Sequence, residues 1–387
     1  MSGEPVTGRT PGGATAPPDD GIRNGGMQLA GTKDPAPGIP TPRIPPAALR
    51  LRRSRRHRTA RFAAVSAALA LLVAGAFTVA LSFGDIALPI GQVWDTLLGG
   101  GDAGSRFVVR ELRLPRALLA VLVGACFGLS GAIFQSLLRN PLASPDIIGI
   151  SSGAGVAAVL ASMVYSVSGL ALSGVALAGA LATGAAVYAL AWRRGVGGQR
   201  LVLIGVGAGA GLSSVVSYLM TRSEVTEAQA AFVWLAGSLN GRSWPYVWPL
   251  VTGVCVLLPL TFLASRSLSV LRLGDDTAAG LGSRVERDRL ALLACATGLA
   301  GVATAAAGPV GFVAFVSAPI ARRLLPGHGA ALLPAALTGA ALVAVADLVG
   351  QHAIPQTQVP VGVVTSIVGA PYLLVLLARA NRVGQGG

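Results

Sequence analysis

Charge is scarce in this sequence, and lysine is almost absent. Only 12% of the 387 residues are charged, and the single lysine is Lys33, in the segment GTKDP. A P-loop needs a lysine followed by serine or threonine, because that lysine contacts the nucleotide phosphates. Lys33 is followed by aspartate, so the chain does not hydrolyse ATP by P-loop chemistry.

Cysteine and histidine are also rare, with three of each. Cys126, Cys255 and Cys295 lie in three separate apolar runs, a spacing that matches no metal site. We interpret them as small buried residues. The sequence predicts neither a metal nor any other cofactor.

Apolar residues, in contrast, make up 53% of the chain, and the mean hydropathy is +0.67. This composition indicates a polytopic membrane protein rather than a soluble domain. The formal net charge of +14 could indicate nucleic-acid binding, but the arginines stand between apolar runs. That distribution is typical of membrane orientation rather than of a basic groove.

Ten apolar runs predict an all-α polytopic membrane protein with about ten transmembrane helices. Most runs have the roughly 20 residues that span a bilayer. Val310–Ile320 is short and flanked by Gly and Pro, which indicates a broken or half-length helix. The ten runs are Phe62–Phe83, Ala117–Leu138, Ile147–Tyr165, Leu170–Trp192, Leu201–Met220, Val247–Leu263, Leu290–Ala307, Val310–Ile320, Ala331–Val349 and Val361–Leu377.

An even number of spans places both termini on the same side. The segment LRRSRRHRTAR clusters arginines directly before the first run, which predicts that this side is cytoplasmic. Residues 1–51 are rich in Pro and Gly and predict a disordered cytoplasmic tail. Residues 52–382 predict the membrane domain, and residues 383–387 a short cytoplasmic tail.

The longest charged connection between the later runs is Arg272–Arg289. Asp276 is predicted to cap a helical turn that Gly282 ends. Ser283 and Glu286 have the spacing of a capping box that restarts the helix. A solvated loop is the simplest interpretation, but a compact charged helix favours a docking surface for a cytoplasmic partner.

The loop between the first two runs is the clearest exception to the positive-inside rule. It carries Arg106, Arg110, Arg113 and Arg116 on the predicted outer side. These arginines either receive an acidic partner outside the cell or anchor the helix at the lipid headgroups. The same loop contains Leu88–Gly99, which predicts a short helix on the membrane surface.

Ionisable residues are absent from the middle of every run, and Asp347 lies close to the outer end of its run. Ion-coupled carriers usually place such groups at mid-depth, so the sequence disfavours a self-powered carrier. Six glycines spaced four apart predict helices in close contact. They are Gly124 and Gly128, Gly149 and Gly153, and Gly205 and Gly209.

Six segments, in order and without large gaps, resemble the permease family of iron–siderophore and vitamin B12 ABC importers. The resemblance runs from about Phe62 to Arg379. The segments are RLPRALLAVLVGACFGLSGAIFQSLLRNPLASPDIIGISSGAGVAA (Arg113–Ala158), LVLIGVGAGAGLSSVVSYL (Leu201–Leu219), FVWLAGSLNGRSW (Phe232–Trp244), LGDDTAAGLG (Leu273–Gly282), AGPVGFVAF (Ala307–Phe315) and VPVGVVTSIVGAPYLLVLL (Val359–Leu377).

The resemblance implies a type II ABC importer permease fold, with ten helices in each of two permease subunits that are identical or different. It implies cytoplasmic ATPase subunits, an extracytoplasmic substrate-binding protein and a ferric siderophore as substrate. It implies neither an enzymatic activity for this chain nor a nucleic-acid partner. A cobalamin or haem permease is the nearest alternative. An ion-coupled carrier and a non-transporting membrane protein are more distant ones.

Three sets of functional residues follow from the resemblance. Asn140 and Leu142 match a cytoplasmic gate, and Arg113 and Arg116 match residues that pair with acidic groups of the binding protein. The coupling set, which would dock on the ATPase, comprises Asp275, Asp276, Ala279, Leu281, Gly282, Ser283, Arg284 and Glu286.

The chain departs from the family pattern at two places. Where the family often has a third docking arginine, this chain has Gln351 followed by His352, and both join the docking set. Where the family reads Val-Pro-His-Ile-Ala-Arg, residues 317–322 read SAPIAR, without the histidine. Iron–siderophore permeases vary more at that histidine than cobalamin permeases do, so this difference favours a siderophore.

Overall fold

The computed structural model describes residues 46–84, 86–193, 197–354 and 357–384. Most of the predicted N-terminal tail and the last three residues of the predicted C-terminal tail lie outside these ranges, so both tails remain predictions. The first helix begins at Pro46, within the predicted tail. The chain divides into residues 1–52 and residues 53–387, and the helix packing concerns the second unit.

The described ranges are helical and contain no strand. A π-helical segment, Phe107–Arg113, joins α3 to α4. The helices are α1 (Pro46–Ser82), α2 (Ile90–Leu98), α3 (Ala103–Arg106), α4 (Leu114–Leu137), α5 (Ile150–Tyr165), α6 (Gly169–Ala191), α7 (Gly198–Arg222), α8 (Val225–Leu235), α9 (Trp244–Leu271), α10 (Asp275–Gly280), α11 (Val285–Ala307), α12 (Val313–Leu324), α13 (Leu332–His352) and α14 (Val361–Gly384).

The all-α membrane fold is confirmed, since each of the ten predicted runs corresponds to a helix. Within the described residues, seven helices are long and apolar enough to cross a membrane, and α5 and α14 contain shorter apolar stretches. With 12 residues, α12 is the predicted half-length helix. The apolar runs do not predict α8, because Glu227 and Gln229 interrupt its pattern.

The helix α4 lies at the centre of the packed unit, where it contacts α9, α11, α12 and α13. In its most apolar stretch, 78% of the residues are buried, as in α11. The corresponding fraction is only 17% for α1, α6, α7 and α9. Their apolar outer faces are therefore uncovered in the single chain and would meet lipid or another membrane protein.

Glycine allows the helices around α4 to make backbone contact. A side chain at Gly124 would overlap the backbone of Gly339 in α13, and one at Gly128 would overlap that of Ala335. The close contacts predicted from glycine spacing are therefore confirmed. The other four predicted glycines also face neighbouring segments: Gly149, Gly153, Gly205 and Gly209.

Two buried hydrogen bonds fix the rotation of α4 against its neighbours. Ser130 Oγ donates to the carbonyl of Ala296 in α11 at 2.7 Å. Gln135 Nε2 donates to the carbonyl of Phe315 in α12 at 2.9 Å. Hydrogen bonds between helices take on this role in membranes, where apolar packing alone distinguishes rotations poorly.

We expect Gly124→Ala to lower the thermal stability of the protein in detergent. The added methyl group must displace the backbone of Gly339, at a cost of about 1–3 kcal/mol. Gly174→Ala in α6 is the matched control, because nothing lies within 4 Å of its added Cβ and alanine favours a helix. Thermal unfolding followed by scanning fluorimetry compares the two, and equal melting temperatures would contradict the backbone contact.

Candidate functional site

The predicted functional residues lie at the two opposite ends of α4. Arg113 and Arg116 are at its N-terminal end, while Asn140 and Leu142 follow its C-terminal end. The 24 residues of α4 span about 36 Å at 1.5 Å per residue, which is comparable to the thickness of a bilayer. The candidate site therefore has two separate parts, one at each end of this helix.

The C-terminal part includes α10, and the sequence places the start of this helix two residues too late. Asp276 is not the N-cap: the helix begins at Asp275, and Gly274 caps it with φ 120°. Glycine adopts this conformation without the steric cost that a side chain would bring. Both carboxylates consequently lie in the first turn, where they face the positive end of the helix dipole.

The end of α10 is a Schellman motif, as Gly282 predicts. Gly282 has φ 83°, and its amide donates to the carbonyl of Ala279 at 2.9 Å. The amide of Ser283 donates to the carbonyl of Ala278 at 3.0 Å. These two bonds satisfy carbonyls that the helix leaves without partners and fix the direction of the chain towards α11.

The predicted capping box at Ser283 and Glu286 does not form. Arg284 is the N-cap of α11, and no side chain caps that end. Ser283 Oγ donates instead to Asp288 Oδ2 at 2.6 Å, and Glu286 Oε1 accepts from Arg289 Nη1 at 2.8 Å. A buried arginine needs a carboxylate partner. Glu286 therefore pairs with Arg289 and does not accept a hydrogen bond from a backbone amide at the start of α11.

The short helix α10 presents an apolar surface beside its charged first turn. Leu273 and Leu281, which flank the helix, are 63% and 65% exposed. Ala279 between them is also exposed, whereas Ala278 is buried against the core. This segment contains the whole predicted coupling set within and around one short helix.

The loop after α4 is held by its own polar side chains. Asn140 Oδ1 accepts a hydrogen bond from the amide of Leu142 at 2.9 Å, and Ser144 Oγ accepts one from the amide of Ile147 at 3.3 Å. Asn140 therefore acts as a turn former, while the side chain of Leu142 is half-buried. The two predicted gate residues are joined in one turn.

Asp146, in the same loop, is a residue that the sequence pattern gave no reason to select. Its carboxylate accepts a hydrogen bond from Ser151 Oγ. With Ser152 and Ser366 it lines an open cavity of about 590 Å³ beside the starts of α5 and α14. Burial raises the pKa of the Asp146 carboxyl to about 6, although the bond from Ser151 acts in the opposite direction. Only the folded chain places this carboxyl and Ser366 at the same cavity.

A cleft of about 470 Å³ at the N-terminal end of α4 gathers the predicted docking residues. Arg113, Arg116, Gln351 and His352 all line it, together with Arg242. We call this cleft the arginine cleft. The fold thus brings together residues that flank the second and ninth predicted spans, and His352 is exposed at the cleft.

Arg116 is held tightly inside the arginine cleft by Asp347. Its Nε lies 3.0 Å from Asp347 Oδ2, and its Nη2 lies 3.0 Å from Asp347 Oδ1. Gln358 accepts from Arg116 Nη1 at 2.8 Å, and Gln351 donates to Asp347 at 2.7 Å. The side chains of Arg116 and Asp347 are only 15% and 6% exposed. The bidentate pair is therefore firmer than an ordinary surface ion pair.

Two other arginines of the first loop satisfy the ends of helices. Arg113 Nη1 donates to the carbonyls of Leu81 and Ser82 at the end of α1, at 2.9 and 3.1 Å. Arg110 donates to two carbonyls near the end of α2, at 2.9 and 3.0 Å. The last carbonyls of a helix lack partners within it, and the helix dipole favours a cation there. Much of the positive charge in this loop therefore has a structural use that sequence reasoning missed.

Comparison with known proteins shows similarity over most of the chain. The model of the FecCD transport family matches residues 70–379. The ferric enterobactin transport system permease protein FepG of Escherichia coli (strain K12) is 41% identical, over 81% of this chain and 94% of the relative. The probable siderophore transport system permease protein YfhA of Bacillus subtilis (strain 168) is 40% identical, over 80% and 93%. A solved structure of a metal-chelate type ABC transporter, in an inward-facing conformation, matches with a TM-score of 0.70 at 26% identity, over 81% and 99%.

We expect Arg113→Ala to lower the thermal stability by about 1–3 kcal/mol, because it leaves carbonyls at the end of α1 without their donor. Arg106→Ala is the control, since Arg106 lies in the same loop and its side chain is exposed. Thermal unfolding in detergent measures both variants. If the two lose the same stability, the capping role of Arg113 is refuted.

Proposed function

The chain belongs to the FecCD transport family, and from this membership we propose that it is the permease subunit of an ATP-driven importer of a ferric siderophore. The observation that carries the proposal is the 41% identity to a ferric enterobactin permease over 81% of the chain. A cobalamin or haem permease has less support, because the relatives reported above belong to enterobactin and siderophore systems. The chain would supply the membrane pathway, and separate subunits would hydrolyse ATP.

The C-terminal end of α4 would face the cytoplasm. His328, beyond α12, contacts the carbonyl of Arg58 near the start of α1 at 3.0 Å. Arg323 stacks over the ring of Tyr372 in the later part of α14. Arg58 of α1 and Tyr372 of α14 thus lie beside the arginine-rich end of α12, which also contacts the end of α4 through Arg322 and Gln135. The positive-inside rule assigns this side to the cytoplasm, and we infer that both termini lie there too.

On this cytoplasmic face, α10 would dock on the ATPase. Its exposed Leu273 and Leu281 would enter a groove of the partner, and its position between α9 and α11 would pass the motion of the partner into the membrane helices. An exposed apolar pair on an otherwise charged loop supports this role, because solvent alone gives no reason to expose it. The remaining members of the coupling set would surround the contact.

The gate and the pathway would lie next to this docking helix. Asn140 and Leu142 would close the cytoplasmic end, with Leu142 as the obstructing side chain and Asn140 as the residue that shapes the turn. The open cavity that contains Asp146 would form half of the pathway. A second permease subunit, identical or different, would cover it, which agrees with the cavity being open in the single chain.

The arginine cleft would receive the substrate-binding protein on the opposite side of the membrane. The family resemblance implies acidic residues on that protein, but Arg116 already has the carboxylate of Asp347 as its partner. An incoming carboxylate would therefore have to share or displace Asp347. Docking would be a competition between two acids for one guanidinium, with Gln351 and His352 nearby.

We expect proteoliposomes that contain this chain, an ATPase and a binding protein to take up a ferric siderophore with ATP and to be inhibited by vanadate. The double variant Ala279→Gly and Leu281→Asp should insert normally but lose uptake and stimulated ATPase activity. Glycine costs the helix about 1 kcal/mol, and aspartate places a charge on the docking face. Uptake driven by an ion gradient without ATP, or full activity of the double variant, would refute the proposal.

We expect Asp347→Asn to strengthen binding of the substrate-binding protein, because it releases Arg116 from its internal competitor, and Arg116→Ala to weaken it. Changes of about 2- to 10-fold in the affinity should appear mainly in the dissociation rate, because Arg116 and Asp347 are largely buried and such pairs act on the bound complex rather than on encounter. Surface plasmon resonance on correctly inserted permease measures them. Glu111→Gln is the control, since it removes an exposed negative charge in the same cleft. Weaker binding by Asp347→Asn would show that the pair only supports the fold.

A further inference from the structure

Arg139 lies at the junction between α4 and the loop that carries the proposed gate. It directly precedes Asn140, and its φ of 49° is in the left-handed region, which is unusual for a residue other than glycine. The chain turns out of α4 at this point. A contact made by Arg139 therefore acts on the first residue of the gate turn through a single peptide bond.

The guanidinium of Arg139 connects the end of α9 with the start of α10. Its Nη2 donates to the carbonyl of Leu271, the last residue of α9, at 2.7 Å. The same nitrogen lies 3.5 Å from the carboxylate of Asp275, the first residue of α10. Helix dipoles favour a cation at the end of one helix and an anion at the start of the next. Arg139 thus bridges both sides of the turn that leads into the docking helix.

Asp275 also has a second and closer cation. Arg289 Nη2 lies 2.8 Å from Asp275 Oδ2, and Arg289 Nη1 lies 2.8 Å from Glu286 Oε1. The side chain of Arg289 is 10% exposed, whereas that of Arg139 is 49% exposed. The guanidinium of Arg289 is therefore largely shielded from water where it joins α10 to α11, although the side chain of Asp275 is 53% exposed, and the contact with Arg139 is open to water on both sides.

The two contacts differ in how easily they can change. Removing the carboxylates from Arg289 leaves its largely buried charge without partners, which is costly. An exposed pair contributes little to stability and can break and form again without unfolding either element. Asp275 thus moves with α10 and α11, and Arg139 moves with the gate loop. The adjustable contact lies between these two bodies.

We propose that Arg139 and Asp275 form a relay that carries a displacement of α10 to the gate residues Asn140 and Leu142. The hydrogen bond to Leu271 keeps the guanidinium in reach of Asp275 while the helix moves. This inference rests on the proposed function, because it requires a moving docking helix and a gate. Both relay residues are positioning residues, since they act on the gate through the backbone and not on the substrate.

The test is the number of siderophore molecules transported per ATP hydrolysed in proteoliposomes with the ATPase and the binding protein. Arg139→Gln and Asp275→Asn should each lower this ratio by about fivefold, the factor that an exposed ion pair can supply. In Arg139→Gln, basal ATPase activity and binding of the ATPase should stay unchanged, because Arg139 lies outside the coupling set. The double variant should be no worse than the poorer single variant, because both changes remove the same link.

Arg266→Gln is the matched control, since Arg266 is an exposed arginine of α9 that forms no ion pair in the described part of the chain. Arg139→Lys, which keeps the charge, should recover part of the ratio. An unchanged ratio in Arg139→Gln, an equal fall in Arg266→Gln, additive losses, or no recovery with lysine would each overturn the relay. Loss of ATPase binding would overturn it too, by assigning Arg139 to the docking surface itself.

A second variant and the behaviour of the wild-type complex distinguish failure of the relay from other causes. If Arg139→Gln fails to insert, Arg139→Met replaces it, because methionine also lacks the charge and Arg139 lies outside the coupling set; the same fall in the ratio is expected. Failure of the proposed function would look different: the wild-type complex itself would show no ATP-dependent uptake. A coupled wild type with equally coupled variants would refute only the relay.

Discussion

Backbone-to-backbone packing around α4 is the constraint on which the rest of the structure depends. Inside a bilayer, apolar side chains gain little by exchanging lipid for another helix, so close van der Waals contact and a few hydrogen bonds must hold the helices together. Gly124 and Gly128 let α13 approach, and Gly131 does the same for α12. Ser130 and Gln135 then fix the rotation. Because both parts of the candidate site begin at the ends of α4, a change in this packing would displace them together.

Charged side chains are used at the ends of the helices, where unpaired backbone groups or opposite charges are available. Arg110 and Arg113 hold the ends of α2 and α1, Arg139 holds the end of α9, and Arg116 is paired with Asp347. Arg110, Arg113 and Arg116 of the first loop therefore already have partners within the chain. Docking there would depend on competition with an internal carboxylate rather than on unoccupied cations.

The ion pairs at the two ends of α4 also differ in how exposed they are and in how easily they can break. At one end the bidentate pair between Arg116 and Asp347 is buried and firm, and it joins α4 to α13. At the other end Asp275 divides its carboxylate between a buried and an exposed arginine. A buried ion pair at the N-terminal end of α4 and an exposed one at the C-terminal end would suit an importer whose movements begin at the side where ATP is hydrolysed.

The sequence by itself determined the class of the protein, the ten helical runs, the half-length α12 and the close glycine contacts. These features follow from hydrophobic length and local spacing, which are properties of short segments. The six segments in order also identified the family. Which charged side chains pair with one another was decided by the tertiary structure alone. Arg289 took Glu286 from the predicted capping box, and Arg116 found a partner 231 residues away in Asp347. Such pairings depend on distances between segments remote in the chain, and neither the periodicity nor the composition of a single segment encodes those distances.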